Sequence, residues 1–302
     1  MNRFSRASQP DRGNPGSQLS PGARRQIDSL LAAQPETAPL LALLTAVLEE
    51  AQGGQWETIA ADTLLRPERS PGTPLLAGAV ISLDERRLDA WARRVLDLAG
   101  GTSPEAVSLV TAARAPRLDA RALVQAALNT DSNGLASIAT TLDVAPDALA
   151  VAADLVAMPL MQALRRRFGP AVDAQWSEGW CPVCGDWPLL AELRGLDRAR
   201  RLRCGRCGGD WAQSGIRCLY CDAIGAAHRA ALVSEGNNES RKVETCSQCR
   251  GYLKSVSTLR AWPGDEVCLA DLATVDLDIV ALERDFARPE PRRLDVGARV
   301  LG

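Results

Sequence analysis

The chain has 302 residues, 46% of them hydrophobic, enough apolar content for two or three folded domains. Its 35 basic and 37 acidic residues nearly cancel, to a formal charge of −2, so no global field draws a polyanion and nucleic acid is not the expected partner. The polar, arginine-bearing start is not a secretory signal, and no stretch holds the roughly 18 uninterrupted apolar residues of a membrane span, so a cytoplasmic chain off the membrane with reduced thiols is expected.

Residues 1–19, rich in Ser, Gly, Pro, Gln and Arg, read as a disordered tail. From 20 to 175 the punctuation is helical. Ser20-Pro21 caps a first helix running through Leu31, and Ala38–Ala51 forms a second that stops at Gly53-Gly54. Asp84 caps a third that ends at Gly100-Gly101, with Leu88, Trp91, Ala92, Val95, Leu96 and Leu98 on its apolar side. Ser103-Pro104-Glu105 opens a fourth, Leu118–Leu128 and Leu135–Leu142 follow, and a long apolar helix runs from Pro146 toward Phe168, kinked or broken at Pro159. These Leu and Ala stripes are core, and this half is assigned no chemistry.

Beyond Pro170 the texture changes to Cys, Gly, Trp and alternating residues. Leu189–Leu193 and Arg200–Cys204 read as a hairpin turned near Gly195-Leu196-Asp197, and Arg229–Ser234 with Arg241–Cys246 as a second, turned at Glu235-Gly236-Asn237-Asn238. A strand at Tyr252–Leu259, a helix over Leu269–Phe286 and a Pro/Arg tail close the chain. Each hairpin is bracketed by two cysteine turns, which amounts to an internal duplication. The fold class is therefore α+β: an all-helical domain (20–175), two small zinc-ribbon-like modules (176–214 and 215–286, the second with its closing helix), and a C-terminal tail (287–302).

Eight of the nine cysteines form four Cys-x-x-Cys pairs: Cys181/Cys184, Cys204/Cys207, Cys218/Cys221 and Cys246/Cys249. Two such turns facing each other supply the four sulfurs of a tetrahedral metal ion, so four turns read as two metal sites. Nineteen residues separate Cys184 from Cys204, twenty-four separate Cys221 from Cys246, and only ten separate Cys207 from Cys218. Sequential pairing is the simplest solution, with interleaved pairing as the alternative. Gly185 and Gly208, just after a second cysteine, permit the positive φ that such turns require, whereas Asp222 and Arg250 stand there in the second pair of turns. Trp180, Trp187 and Trp211 flank the first site and Tyr220 and Tyr252 the second, as cover for the sulfurs. Tetrahedral S₄ sites take zinc or a single iron, and spacing does not choose between them.

Cys268 reads as a buried small apolar residue, and the single histidine, His228, as a surface or core residue rather than a ligand. No nucleophile arrangement supports catalysis. Arg194 to Arg217 holds seven arginines against Asp197 and Asp210. It reads as a solvated hairpin face, with a patch for RNA or another acidic surface as the alternative.

The ordered pairs within Cys181–Cys249, the run Glu244-Thr-Cys-Ser-Gln-Cys-Arg-Gly-Tyr-Leu-Lys254 and the run Asp271-Leu-Ala-Thr-Val-Asp-Leu-Asp278 resemble the formate dehydrogenase accessory proteins of the FdhE family. Where that family commonly has Trp-His after the second turn, this chain has Trp211-Ala212. The resemblance implies a helical domain followed by two rubredoxin-like modules, and iron at the eight cysteines, with zinc as the alternative. It further implies a non-catalytic factor that binds the catalytic subunit of a respiratory, molybdenum-containing formate dehydrogenase in the cytoplasm and helps it mature. A nucleic-acid-binding ribbon and a rubredoxin-like electron carrier or thiol redox protein are the alternatives, and homodimerisation is left open.

Overall fold

A computed structural model describes residues 19–67, 69–213, 215–233, 240–290 and 296–302. Of the tail expected at 1–19 all but Leu19, which is buried in the core, lies outside the described residues, as does the hairpin turn expected at 235–238.

Capping residues set the helix starts. The Ser20 hydroxyl accepts from the Ala23 N–H at 3.1 Å to open α1 (Pro21–Ala33), with proline at its first position, where no N–H is needed. The α2 helix (Ala38–Glu50) buries Leu41, Leu44, Val47 and Leu48. The α3 helix (Gly54–Asp62) follows, unforeseen because it starts at a Gly-Gly pair that reads as a stop; Trp56 and Ala60 anchor it in the core. Asp84 accepts from the N–H groups of Arg86 and Arg87 at 3.0 and 3.1 Å to begin α4 (Glu85–Ala99). The α5 helix (Ser108–Arg114) starts a turn later than expected, because Pro104–Ala106 winds as a 3₁₀ turn first. Asp119 and Asp131 cap α6 (Ala120–Leu128) and α7 (Ser132–Leu142) in the same way.

Helices α2, α3, α4, α6 and α7 pack on α8 (Pro146–Phe168), whose residues Leu149, Val156, Leu160, Met161 and Leu164 are buried. Pro159 does not end α8. It removes the backbone N–H that would bond the Leu155 carbonyl, and one residue further on the Trp91 indole N–H donates to the Val156 carbonyl at 3.0 Å, tying α4 to α8. Among the described residues α8, extended to Ala171, is the one helix long and apolar enough to cross a membrane, and 72% of its apolar window is buried inside this structure.

The cysteine-rich half is one sheet rather than two separate hairpins. The strands are β2 (Pro188–Arg194), β3 (Ala199–Cys204), β4 (Asp210–Ala212), β5 (Arg229–Leu232), β6 (Arg241–Cys246) and β7 (Tyr252–Thr258), in the order β4-β3-β2-β7-β6-β5 among the described residues. Among the described neighbours in this sheet, only β2 and β7 run parallel, with Leu190 opposite Lys254 and Arg194 opposite Thr258. Each hairpin alone would leave an edge of unpaired N–H and C=O groups beside buried Leu190, Ala191, Leu253 and Val256; joining the edges satisfies both at once. Gly195, at φ +67°, and Arg198, at +52°, turn the first hairpin where expected.

The closing helix is two helices, α9 (Gly264–Leu272) and α10 (Val275–Leu282). Thr274 leaves the helical region, its hydroxyl bonding the Ala270 and Asp271 carbonyls, while the Lys254 ammonium takes the Asp271 carbonyl at 2.7 Å. The segment expected as a tail at 287–302 ends in β8 (Arg299–Leu301), which pairs in parallel with β1 (Val80–Ser82) and buries Val300 beside Ile81.

Candidate metal centres

Four cysteine turns share one backbone geometry. The N–H of Cys181 donates to the carbonyl of Asp186, that of Cys204 to Gly209, that of Cys218 to Ala223 and that of Cys246 to Gly251, at 2.8 to 3.0 Å. In three of them the residue after the second cysteine donates back to the first: Gly185 to Cys181, Gly208 to Cys204 and Asp222 to Cys218. That residue is left-handed in all four turns, at φ +82° for Gly185, +68° for Gly208 and +58° for both Asp222 and Arg250. The duplication legible in the cysteine spacing thus extends to individual hydrogen bonds.

The turns converge in pairs. Among the described residues, one ligand atom from each of Cys181, Cys184, Cys204 and Cys207 lies within 4.8 Å of the others, and the same holds for Cys218, Cys221, Cys246 and Cys249. Within the first quartet Cys181–Cys207 and Cys184–Cys204 are 3.5 Å apart, and within the second Cys218–Cys249 and Cys221–Cys246 are 3.7 and 3.8 Å apart. A tetrahedron with metal–sulfur bonds of about 2.3 Å has edges of about 3.8 Å, whereas a disulfide is about 2.05 Å. All nine thiols are free, and each quartet could hold one metal ion.

Close glycines make room for the sulfurs. A Cβ on Gly209 would sit 2.9 Å from the Cys181 sulfur and 3.2 Å from that of Cys207, and one on Gly251 would sit 3.2 Å from Cys249 and 2.8 Å from the Tyr220 ring. The electrostatics call for a cation. Burial drives the Cys181 thiol far up, while the thiols of Cys181, Cys184 and Cys207 all donate to Cys204 and hold it well below its ordinary value. One anion settles and its neighbours resist, unless a positive ion neutralises the quartet. In the second quartet burial opposes ionisation of Cys246, yet the N–H groups of Cys249 and Gln248 bring it to about 7.

The two quartets touch through aromatic rings. Trp176, Trp180, Trp187 and Tyr220 meet edge to face at 6.5, 6.4 and 5.2 Å, and the last contact joins the module of the first quartet to that of the second. The Tyr220 hydroxyl donates to the Tyr252 carbonyl at 3.0 Å.

Other candidate residues fall elsewhere. The basic stretch is neither a solvated face nor an open patch. Arg203 is fully buried against Glu192; Arg194 pairs with Glu192 and Asp210, Arg201 with Asp210, Arg200 with Glu244 at 2.8 Å, and Arg206 with Asp154 at 3.2 Å. The acidic partners come from other strands and from α8, which spacing along the chain does not reveal. Arg198 stays exposed, and Arg217 pairs loosely with Asp222 at 3.5 Å. Cys268 donates its thiol to the Gly205 carbonyl at 3.2 Å, and burial, with Asp271 and Cys204 nearby, pushes it up to about 12. His228 is half-buried in a 3₁₀ turn, outside both quartets.

Residues 216–294 match the family described as "FdhE, C-terminal domain". A "Protein FdhE homolog" from Stutzerimonas stutzeri (strain A1501) is 33% identical over 117 residues, 38% of this chain and 37% of that one. A second, from Aquifex aeolicus (strain VF5), is 29% identical over 122 residues, 38% of this chain and 41% of the relative. The matched segment spans well under half the length of either relative. The solved FdhE protein from Pseudomonas aeruginosa matches with a TM-score of 0.49 at 21% identity, over 91% of this chain and 94% of that one; at that score the likeness adds nothing to the case. Residues 216–294, the segment that matches the FdhE C-terminal domain, hold the second sulfur quartet.

Proposed function

We propose that this protein is a cytoplasmic, non-catalytic accessory factor that binds the catalytic subunit of a respiratory formate dehydrogenase and assists its assembly. The observation that carries the proposal is the second quartet, complete within the segment that matches the FdhE C-terminal domain. Both donor sets consist of sulfur alone and fit a thiophilic ion; the proposed metal is one iron per quartet, with zinc as the alternative. Cys181, Cys184, Cys204 and Cys207 would hold the first ion and Cys218, Cys221, Cys246 and Cys249 the second. Each ion would cross-link two turns and give the small module a rigid shape for docking. Affinity capture of a formate dehydrogenase catalytic subunit by the metal-loaded, tagged protein is the test. Specific retention is expected, and no retention with metal demonstrably bound rejects the proposal.

A second reading, rubredoxin-like electron transfer, draws on the Trp187–Tyr220 contact between the modules. Reversible one-electron reduction of an iron-loaded sample would favour it, and zinc in both quartets of the native protein would exclude it.

A further inference from the structure

The quartets share a donor set but not an environment. In the first, relative exposure is 0% for Cys181, 3% for Cys184, 0% for Cys204 and 1% for Cys207, and all four belong to the main apolar core. In the second, Cys249 is exposed and Cys221 half-buried, and Cys218 and Cys246 sit in a small separate cluster with Ala223.

Tethering follows the same division. The turn at Cys181 is strapped to the helical half by the Leu75 and Leu76 N–H groups, which donate to the Pro182 and Val183 carbonyls at 2.8 and 3.0 Å. The turn at Cys204 is held by Arg165, which donates to the Gly208 carbonyl at 3.1 Å, and by buried Arg206, which reaches the Ala127 carbonyl and Asp154. The turn at Cys218 is flanked by Ile216 and Ile224, 71% and 73% exposed, and the turn at Cys246 is tied mainly to the C-terminal segment, through Arg250 to the Asp285 carbonyl. Opening the first quartet means parting the sheet from α6 and α8, whereas opening the second disturbs one corner of the sheet.

We propose that the two centres do different jobs: the first is a permanent staple joining the helical half to the sheet, and the second is an exchangeable site that releases and rebinds a thiophilic divalent cation, through the face at Cys249, while the first stays loaded. This rests on the reading that both quartets bind metal.

The test uses the full chain loaded with zinc, a disulfide reagent to count reacting thiols, a zinc indicator and native mass spectrometry. Expected are two metals per chain and two phases: four quartet thiols and one zinc released first, then four thiols and the second zinc at a rate lower by about tenfold or more. Cys249→Ser should retain one zinc, keep the slow phase unchanged and melt cooperatively with native helical circular dichroism. A protein with two zinc ions that releases them in one phase, or a Cys249→Ser chain that loses both or unfolds its helical half, overturns the division of labour alone. A chain that takes up no metal overturns the reading beneath it as well.

Discussion

At the residue scale, the position after each second cysteine separates the two centres. Glycine takes a left-handed φ without penalty, whereas a side chain there costs about 1 to 2 kcal/mol. Asp222, at φ +58° with its side chain largely exposed, therefore carries strain that Gly208 does not. Asp222→Gly should stabilise the protein by up to about 1 kcal/mol in denaturant unfolding, part of the relief being offset by the extra freedom of the unfolded chain. Gly208→Ala should do the reverse, and more strongly, because its Cβ would also lie 3.2 Å from the Gly264 Cα, a backbone atom that cannot swing aside. A Gly208→Ala chain that melts at the wild-type temperature would refute this account of the turn.

At the element scale, the corner between α9 and α10 rests on a charge lattice built around one buried cation. Lys254 on β7, fully buried, reaches Asp271 and Asp278 at 2.7 Å each; Arg288 reaches the same carboxylates at 2.6 and 3.0 Å, and the Tyr252 hydroxyl donates to Asp278 at 2.7 Å. Two cations face two anions, so removing Lys254 leaves two half-buried carboxylates sharing the single charge of Arg288. Lys254→Met should cost about 2 to 3 kcal/mol, less than for a fully buried pair because the carboxylates are half-buried and keep Arg288, read by chemical denaturation. Burial alone would raise the Asp278 carboxyl, but hydrogen bonds from Lys254 and Tyr252 and the charge of Arg288 outweigh it and hold the group below its ordinary value. Its contribution is then fully present above the ordinary carboxylate range and is lost as pH falls through the depressed value. The stability gap between wild type and Asp278→Asn should be widest near neutrality and shrink in acid; a gap that stays constant with pH would show that shape rather than charge is at work.

At the scale of the whole molecule, the two halves are stitched together from both ends of the chain. The Ser20 N–H donates to Asp265 at 2.7 Å, fixing the start of α1 to α9. At the other end, β8 pairs with β1, and the Gln125 and Asn129 side chains bond its backbone and that of Ala298. Deleting residues 296–302 would bare Ile81 and strip those amides of their bonds to Ala298 and Val300, so melting should fall by several degrees, the loss expected for about 1 to 2 kcal/mol. An unchanged melting curve would make this pairing dispensable.

Local chemistry wrote part of this structure openly. Ser20, Asp84 and the leucine stripes marked helices because caps and apolar spacing act within a turn or two, and the cysteine spacing marked both quartets because each turn is a short-range object with a fixed donor pattern. Tertiary structure decided what depends on residues distant in sequence. It fused the hairpins through β2 and β7, turned Arg194, Arg200, Arg201, Arg203 and Arg206 onto Glu192, Asp210, Glu244 and Asp154, and cast Lys254, Asp271 and Asp278, legible in the sequence only as part of a family resemblance, as a charge lattice. It also buried one quartet whole and left the Cys249 edge of the other exposed. Spacing along a chain fixes which side chains a turn can bring together, whereas burial and ion pairing depend on which surfaces later meet, and that is set by the packing of the whole.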